Sequence, residues 1–118
     1  MTALEKAKKI ASILDDKKAV DIAVVDIGKL TTLGDYFVIA SGTSNTQVKA
    51  LVDEVDKQFG DMGIEPLRIE GYQTSMWILM DYGDVIVHVF YQETREFYGL
   101  ERLWGDAPRV DISDIIRP

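Results

Sequence analysis

The chain has no cysteine and a single histidine, His88. Disulfides, thiolate nucleophiles, Cys-ligated zinc and any site built from several histidines are therefore excluded, and neither a metal nor a cofactor is expected. Proline is scarce, and no apolar run approaches the ~20 residues that a membrane-crossing helix needs. Met1 is followed by Thr2, Ala3, Leu4, Glu5 and Lys6, which lacks the basic-then-apolar layout of a secretory signal. A soluble, cytoplasmic protein that engages no membrane is the expectation. Basic charge is also short. Thirteen Lys and Arg stand against twenty Asp and Glu, a formal charge of −7, the wrong sign for binding by neutralisation of many phosphates. Direct nucleic-acid specificity is not expected. A basic partner suits this charge, although an acidic surface also serves solubility alone.

With 118 residues, 47% of them hydrophobic, the chain can bury roughly two-thirds of its unfolded surface in one domain without a staple. No repeat or low-complexity tract divides it. One domain over residues 1–108 and a tail over 109–118 are expected. Thr2 and Glu5 have capping-box spacing, and Leu4, Ala7, Ala11 and Leu14 recur at helical intervals, which predicts an amphipathic helix over residues 2–16 with a lysine-rich outer face. Residues 20–26 and 36–40 read as strands, the second a continuous apolar run suited to cover on both faces, and both are expected to lie centrally. Ser44 and Gln47 repeat the capping-box spacing ahead of the stripe Val48, Leu51, Val52, Val55 and Phe59, the clearest helix of the chain. A short strand follows over 67–70.

Residues 76–81 and 84–91 flank Tyr82-Gly83, a pair that favours a tight hairpin. With Asp81 opposite Asp84, the register places Leu79 against Ile86, Trp77 against His88 and Ser75 against Phe90. Met80, Ile78 and Met76 then meet Val85, Val87 and Val89 on the other face. That face is purely aliphatic and should pack under helices. The first carries an indole, an imidazole, a phenyl ring and two carboxylates, whose mutual repulsion implies that this end is wet. A short helix over 93–98 and a further turn through Leu100, Leu103 and Trp104 close the chain. The order α-β-β-α-β-β-β-α predicts an α/β (α+β) domain in which a mixed sheet of about five strands carries packed helices.

Three features invite a chemical reading. The loop Ser41-Gly42-Thr43-Ser44-Asn45 joins a strand to a helix N-terminus, where exposed N–H groups and the helix dipole favour an anion. It lacks the P-loop lysine and the dinucleotide-binding glycine pattern, so ordinary capping competes with phosphate binding. The layout is similar to a nucleotidyltransferase core, but the strand after the helix, Pro66-Leu67-Arg68-Ile69-Glu70, offers Glu70 alone where a carboxylate pair is needed. His88 could act as a general base, yet it lies mid-strand beside Trp77 with no carboxylate or serine at a telling spacing, which favours a packed or interface histidine. No catalytic residue is assigned. From Trp77 onward the aromatics crowd together: Trp77, Tyr82, Phe90, Tyr91, Phe97, Tyr98 and Trp104. Phe97 and Tyr98, adjacent on a helix, cannot both point inward. Core and interface roles stay open for this set. The candidate partner surface is the aromatic face of the hairpin with the following helix. It comprises Trp77, Leu79, His88, Phe90, Tyr98, Leu100 and Trp104, rimmed by Asp81, Asp84, Glu93 and Glu101.

Taken together, Asp35-Tyr36-Phe37-Val38-Ile39-Ala40-Ser41-Gly42-Thr43-Ser44, the Glu70-Gly71 step, Trp77, Asp81-Tyr82-Gly83-Asp84, Val87-His88-Val89-Phe90, Arg95, Phe97-Tyr98, Leu100-Glu101-Arg102-Leu103-Trp104 and Asp106-Ala107 resemble the Iojap-related ribosomal silencing factors. The resemblance spans nearly the whole chain, apart from the extreme tail. It implies a nucleotidyltransferase-like core without catalytic carboxylates. It also implies a non-enzymatic protein, monomer or homodimer, that binds the large ribosomal subunit through its protein fourteen. Such a protein blocks joining of the small subunit and represses translation when nutrients are scarce. A phosphate-handling enzyme and a large-subunit assembly factor are the rival readings.

Overall fold

The computed structural model describes residues 1–32, 34–99, 102 and 104–116. Its elements run α1 (Ala3–Asp16), β1 (Val20–Asp26), β2 (Tyr36–Gly42), α2 (Asn45–Asp61), β3 (Arg68–Glu70), β4 (Trp77–Asp81), β5 (Val85–Tyr91) and α3 (Gln92–Tyr98), the α+β arrangement that the element order predicts. The strands form one mixed sheet, β1-β2-β5-β4-β3, with β2 and β5 parallel and the other neighbours antiparallel.

Both long helices start at the caps that the sequence marks. The Thr2 hydroxyl accepts from the Glu5 amide while the Glu5 carboxylate accepts from the Thr2 amide, a complete capping box. Ser44 accepts from the Gln47 amide. Gln47 does not return the bond to Ser44. Its side-chain oxygen takes the Thr43 amide instead. The apolar stripes of α1 (Ala7, Ile10, Ala11, Leu14) and α2 (Val48, Leu51, Val52, Val55, Phe59) enclose the main core against Val24, Val38, Ala40, Ile78, Met80, Val85, Val87 and Val89.

The sheet corrects two expectations. First, β1 is an edge strand and β5 is central. The apolar character of β1 comes from cover on its two faces, with Val24 under the helices and Val25 in a second core on the opposite side. Its open edge is taken by the C-terminal segment: the Asp26 amide donates to the Pro108 carbonyl (2.8 Å) and the Val110 amide to the Val24 carbonyl (2.8 Å).

Second, the hairpin register differs by two residues. Trp77 pairs with Phe90, Leu79 with His88 and Asp81 with Ile86, and the tight loop is Gly83-Asp84 rather than Tyr82-Gly83. Gly83, at φ +88, thereby occupies the first loop position, which a type II′ turn reserves for glycine. Tyr82 stays in the ladder, its amide donating to the Val85 carbonyl, and its ring enters the core 5.1 Å from that of Phe59. A shift of two preserves which side chains share a face, so the aliphatic face of the hairpin still packs under α1 and α2.

Candidate functional site

The face of the sheet turned away from α1 and α2 is only half covered. Over β1, β2 and β5 lies a second core of Val25, Ile27, Ile39, Phe90, Trp104 and Ala107. Arg95 pins α3 to this side. It is buried, and its guanidinium donates to the Asp21 carbonyl (2.9 Å) and the Ser41 hydroxyl (3.0 Å). The Asp21 carbonyl is presented by a bulge at which Asp21 itself takes φ +52. Toward β4 and β3 the cover stops. Two open depressions of about 420 and 250 Å³ meet at Leu79, one lined by Glu70, Gly71, Trp77 and Leu79, the other by Phe37, Arg68, Leu79, Asp81, Ile86 and His88. Gly71 is required where it stands, since at φ +80 an added Cβ would collide with the Trp77 carbonyl.

The side chains predicted as one surface therefore separate. Trp77 is 38% exposed, with Leu79 and Asp81 half-buried around the depressions. Phe90 (0% exposed) and Trp104 (3%) belong to the second core, because the C-terminal segment folds back over them. Tyr98 and Glu93 are exposed on α3, beside Phe97, where they line a separate depression with Met76, Tyr91 and Thr94. Phe97 and Tyr98 both face solvent, at 79% and 66%. Leu100 and Glu101 lie outside the described residues. Asp84 points elsewhere, held by Lys6 of α1 at 2.8 Å. The expected repulsion between Asp81 and Asp84 does not arise, because the register separates them and each has its own donors. Asp81 accepts from the Gly83 amide (2.8 Å) and lies 3.3 Å from the Arg68 guanidinium. Ile86, which the hairpin pattern already puts on this face, was left out of the predicted surface, and Arg68, Glu70 and Phe37 were missed as lining residues. Their alternation along strands was visible, but their membership of this face depends on which strands are neighbours.

His88 sits at the floor of the smaller depression, 5% exposed. The Trp77 indole N–H donates to its Nδ1 at 3.1 Å, which leaves the proton of the neutral ring on Nε2. Nε2 has no hydrogen-bond partner among the described residues. Burial pushes the pKa down to about 4, so the ring is neutral at physiological pH. Its only lone pair is already engaged by Trp77, a poor arrangement for a general base. The rings of Phe37, Trp77, Phe90 and Trp104 surround it. The imidazole thus acts as a packed acceptor that orients the indole.

The loop at Ser41 is occupied by its own chain. Ser41 is held by Arg95, an added Cβ on Gly42 would press on Val48 at 3.0 Å, and the Thr43 amide donates to the Gln47 side chain at 2.7 Å. Two of the donors that an anion would use, the Thr43 and Gln47 amides, are spent on capping. Among the described residues no group of three or more His, Asp or Glu could hold a metal ion.

The match to known proteins is extensive. The family model described as "Ribosomal silencing factor during starvation" matches residues 1–118. The chain is 40% identical over 116 residues to a protein of Halalkalibacterium halodurans named "Ribosomal silencing factor RsfS", covering 98% of this chain and 99% of that one. It is 35% identical to "Mitochondrial assembly of ribosomal large subunit protein 1" of Mus musculus, covering 80% of this chain and 43% of the mouse protein. A crystal structure from Chromobacterium violaceum superposes with a TM-score of 0.84 at 39% identity, over 89% of this chain and 88% of that one.

Proposed function

The chain belongs to the ribosomal silencing factor family, and from that premise we propose that it is a non-catalytic module that docks on the large ribosomal subunit and excludes the small one. The docking partner in this reading is large-subunit protein fourteen, and the setting is the cytoplasm, where translation is repressed. The observation that carries the proposal is the uncovered half of the sheet: Trp77, oriented by His88, and Leu79 stand between Glu70 and the Arg68–Asp81 pair. A partly exposed indole beside aliphatic surface and rim carboxylates has the composition of an interface anchor. The acidic rim and the charge of −7 favour encounter with a basic partner.

Exclusion needs only bulk. The molecule measures 34 × 31 × 30 Å, and a body of that size on the joining surface cannot share space with a docked subunit. Competition then follows by mass action. In a light-scattering assay of subunit joining without nucleotide, added small subunits are expected to overcome the inhibition. Protein added to joined ribosomes should act only as fast as they separate. Inhibition that small subunits cannot overcome, or that persists after the protein is washed away, would refute exclusion.

The anchor can be tested directly. Trp77→Ala is expected to weaken large-subunit binding by about 2 kcal/mol or more, measured by co-sedimentation. Tyr98→Ala, on α3, reports whether the docking surface extends there: an unchanged affinity confines it to the sheet face. Both variants need a melting curve as a folding control, and a Trp77→Ala protein that binds normally removes the indole from the site. A second reading, a large-subunit assembly factor, is favoured by the name of the mouse relative. It uses the same surface and differs in timing, so association with immature large-subunit particles in preference to mature ones would select it.

A further inference from the structure

We infer that the Tyr72 phenol and the Asp53 carboxylate form a latch that ties the connection between β3 and β4, residues 71–76, to α2 and so holds Trp77 in its docking pose, a role that rests on the large-subunit docking proposed above. Trp77 opens β4, so its backbone is placed no better than the connection before it. That connection is unfavourable by itself. Gly71 takes φ +80, and Ser75, which carries a side chain, takes φ +53, a conformation that persists only where its surroundings hold it.

Thr74 and Ser75 spend their hydroxyls inside the connection, on the Gly71 and Thr74 carbonyls. Tyr72 reaches out of it. Its hydroxyl lies 3.0 and 3.1 Å from the two carboxylate oxygens of Asp53 on α2. Its ring lies under Lys49 of the same helix, with Nζ 5.3 Å from the centroid, a cation–π contact. Asp53 and Lys49 stand four residues apart and are neighbours on one helix face, so α2 holds both the tip and the face of the ring. The helix covers Ile78 and Met80, whereas Trp77, which alternates with them along β4, emerges on the opposite face of the sheet. The connection is thus tied down on one face and presents its anchor on the other. Gly71 couples the two, because it sits so close to the Trp77 carbonyl that no Cβ fits between them. A shift of the connection therefore moves the Trp77 backbone, while the indole N–H is bound to His88 Nδ1 at 3.1 Å. An exposed phenol–carboxylate bond adds little to global stability, which suits it to orienting a side chain. Tyr72 and Asp53 are positioning residues, acting through Trp77.

Tyr72→Phe removes the hydroxyl and keeps the ring under Lys49, Asp53→Ala removes the acceptor, and Asp53→Asn keeps an acceptor oxygen. In a Trp104→Phe background Trp77 is the sole tryptophan, so acrylamide quenching of its fluorescence reports the anchor while co-sedimentation with large subunits reports docking. Tyr72→Phe and Asp53→Ala are each expected to weaken binding about threefold to tenfold and to raise the quenching of Trp77. Melting temperatures should move by no more than about 3 °C. The double variant should be no worse than either single one, and Asp53→Asn should retain most of the affinity. Unchanged quenching in both single variants would overturn the latch, as would effects that add in the double variant. Weakened binding with unchanged quenching would overturn it too, since Tyr72 or Asp53 would then touch the partner directly. Trp77→Ala separates this role from the docking reading. If it abolishes binding while the latch variants loosen Trp77 yet bind normally, the latch has no part in docking and is overturned. If it binds normally while the latch variants loosen Trp77, the latch stands and docking through this face fails.

Discussion

Trp104→Ala is expected to cost about 3–5 kcal/mol of folding stability, lowering the melting temperature by roughly 10–20 °C for a domain of this size. The indole is 3% exposed, packs on Phe90 and His88 with ring centroids 5.9 and 6.1 Å away, and shares its cluster with Val25, Ile27, Ile39 and Ala107. It covers β1, β2 and β5 on the face turned away from α1 and α2. Removing it leaves a void that the surrounding strands, held by their ladders, cannot close. The segment beyond it also seals the open edge of β1 through Pro108 and Val110, so that seal should fray as well. Trp104→Phe separates packing from polarity. The indole N–H is buried without a partner among the described residues, and a phenyl ring keeps much of the contact while removing the unsatisfied donor. Its cost should be well below that of alanine. Urea unfolding of the three proteins decides the matter. A Trp104→Ala protein of normal stability that fails to bind the large subunit would return this residue to the interface.

The second large effect is a dependence of stability on pH. His88 is the sole histidine, and its pKa is pushed down to about 4 by burial from an unfolded value near ~6.5. Between these values the unfolded chain binds a proton that the folded chain does not, so stability rises with pH and is lost on acidification. The loss begins as pH falls through the unfolded value and is complete once pH is below the folded one. For this one group it amounts to about 2 kcal/mol by pH 5 and about 3 kcal/mol by pH 4. Glu5, Glu54 and Asp111 have pKa values lowered mainly by hydrogen bonds, and their contributions fall away at still lower pH in any variant. The measurement is therefore a difference. Unfolding free energies of wild type and His88→Gln from pH 7 to pH 4 should diverge in slope, with the variant flatter. Parallel slopes would mean that His88 ionises in the folded protein as it does in water, and that the ring is open to solvent.

Much of this molecule was legible locally. The caps at Thr2 and Ser44, the apolar stripes of α1 and α2, the bounds of β1 and the alternation along β4 and β5 all follow from residues within a few positions of one another, because helix and strand periodicity are properties of the backbone. The division of the hairpin into an aliphatic and an aromatic face survived a register error for the same reason: with a repeat of two, a shift of two leaves every side chain on its face. That Phe97 and Tyr98 could not both be buried likewise required only that neighbours on a helix point apart, whereas the exposure of both did not follow from it. Local pattern also disfavoured catalytic chemistry at Glu70, where a strand supplies one carboxylate in place of two.

Tertiary structure alone decided the rest. Both tryptophans lie near the same face, yet Trp77 is left partly open while Trp104 is buried, because burial depends on where the chain after α3 returns and not on hydrophobicity. Asp84 looks like a rim charge in the sequence, but Lys6, 78 residues away, lies within reach of it. The parallel pairing of β2 with β5 placed Phe37 beside His88, and the edge position of β3 exposed Arg68 and Glu70. Strand order, the route of a returning segment and the partners of a charge are set by summed contacts between distant residues. No window of neighbouring residues contains that information.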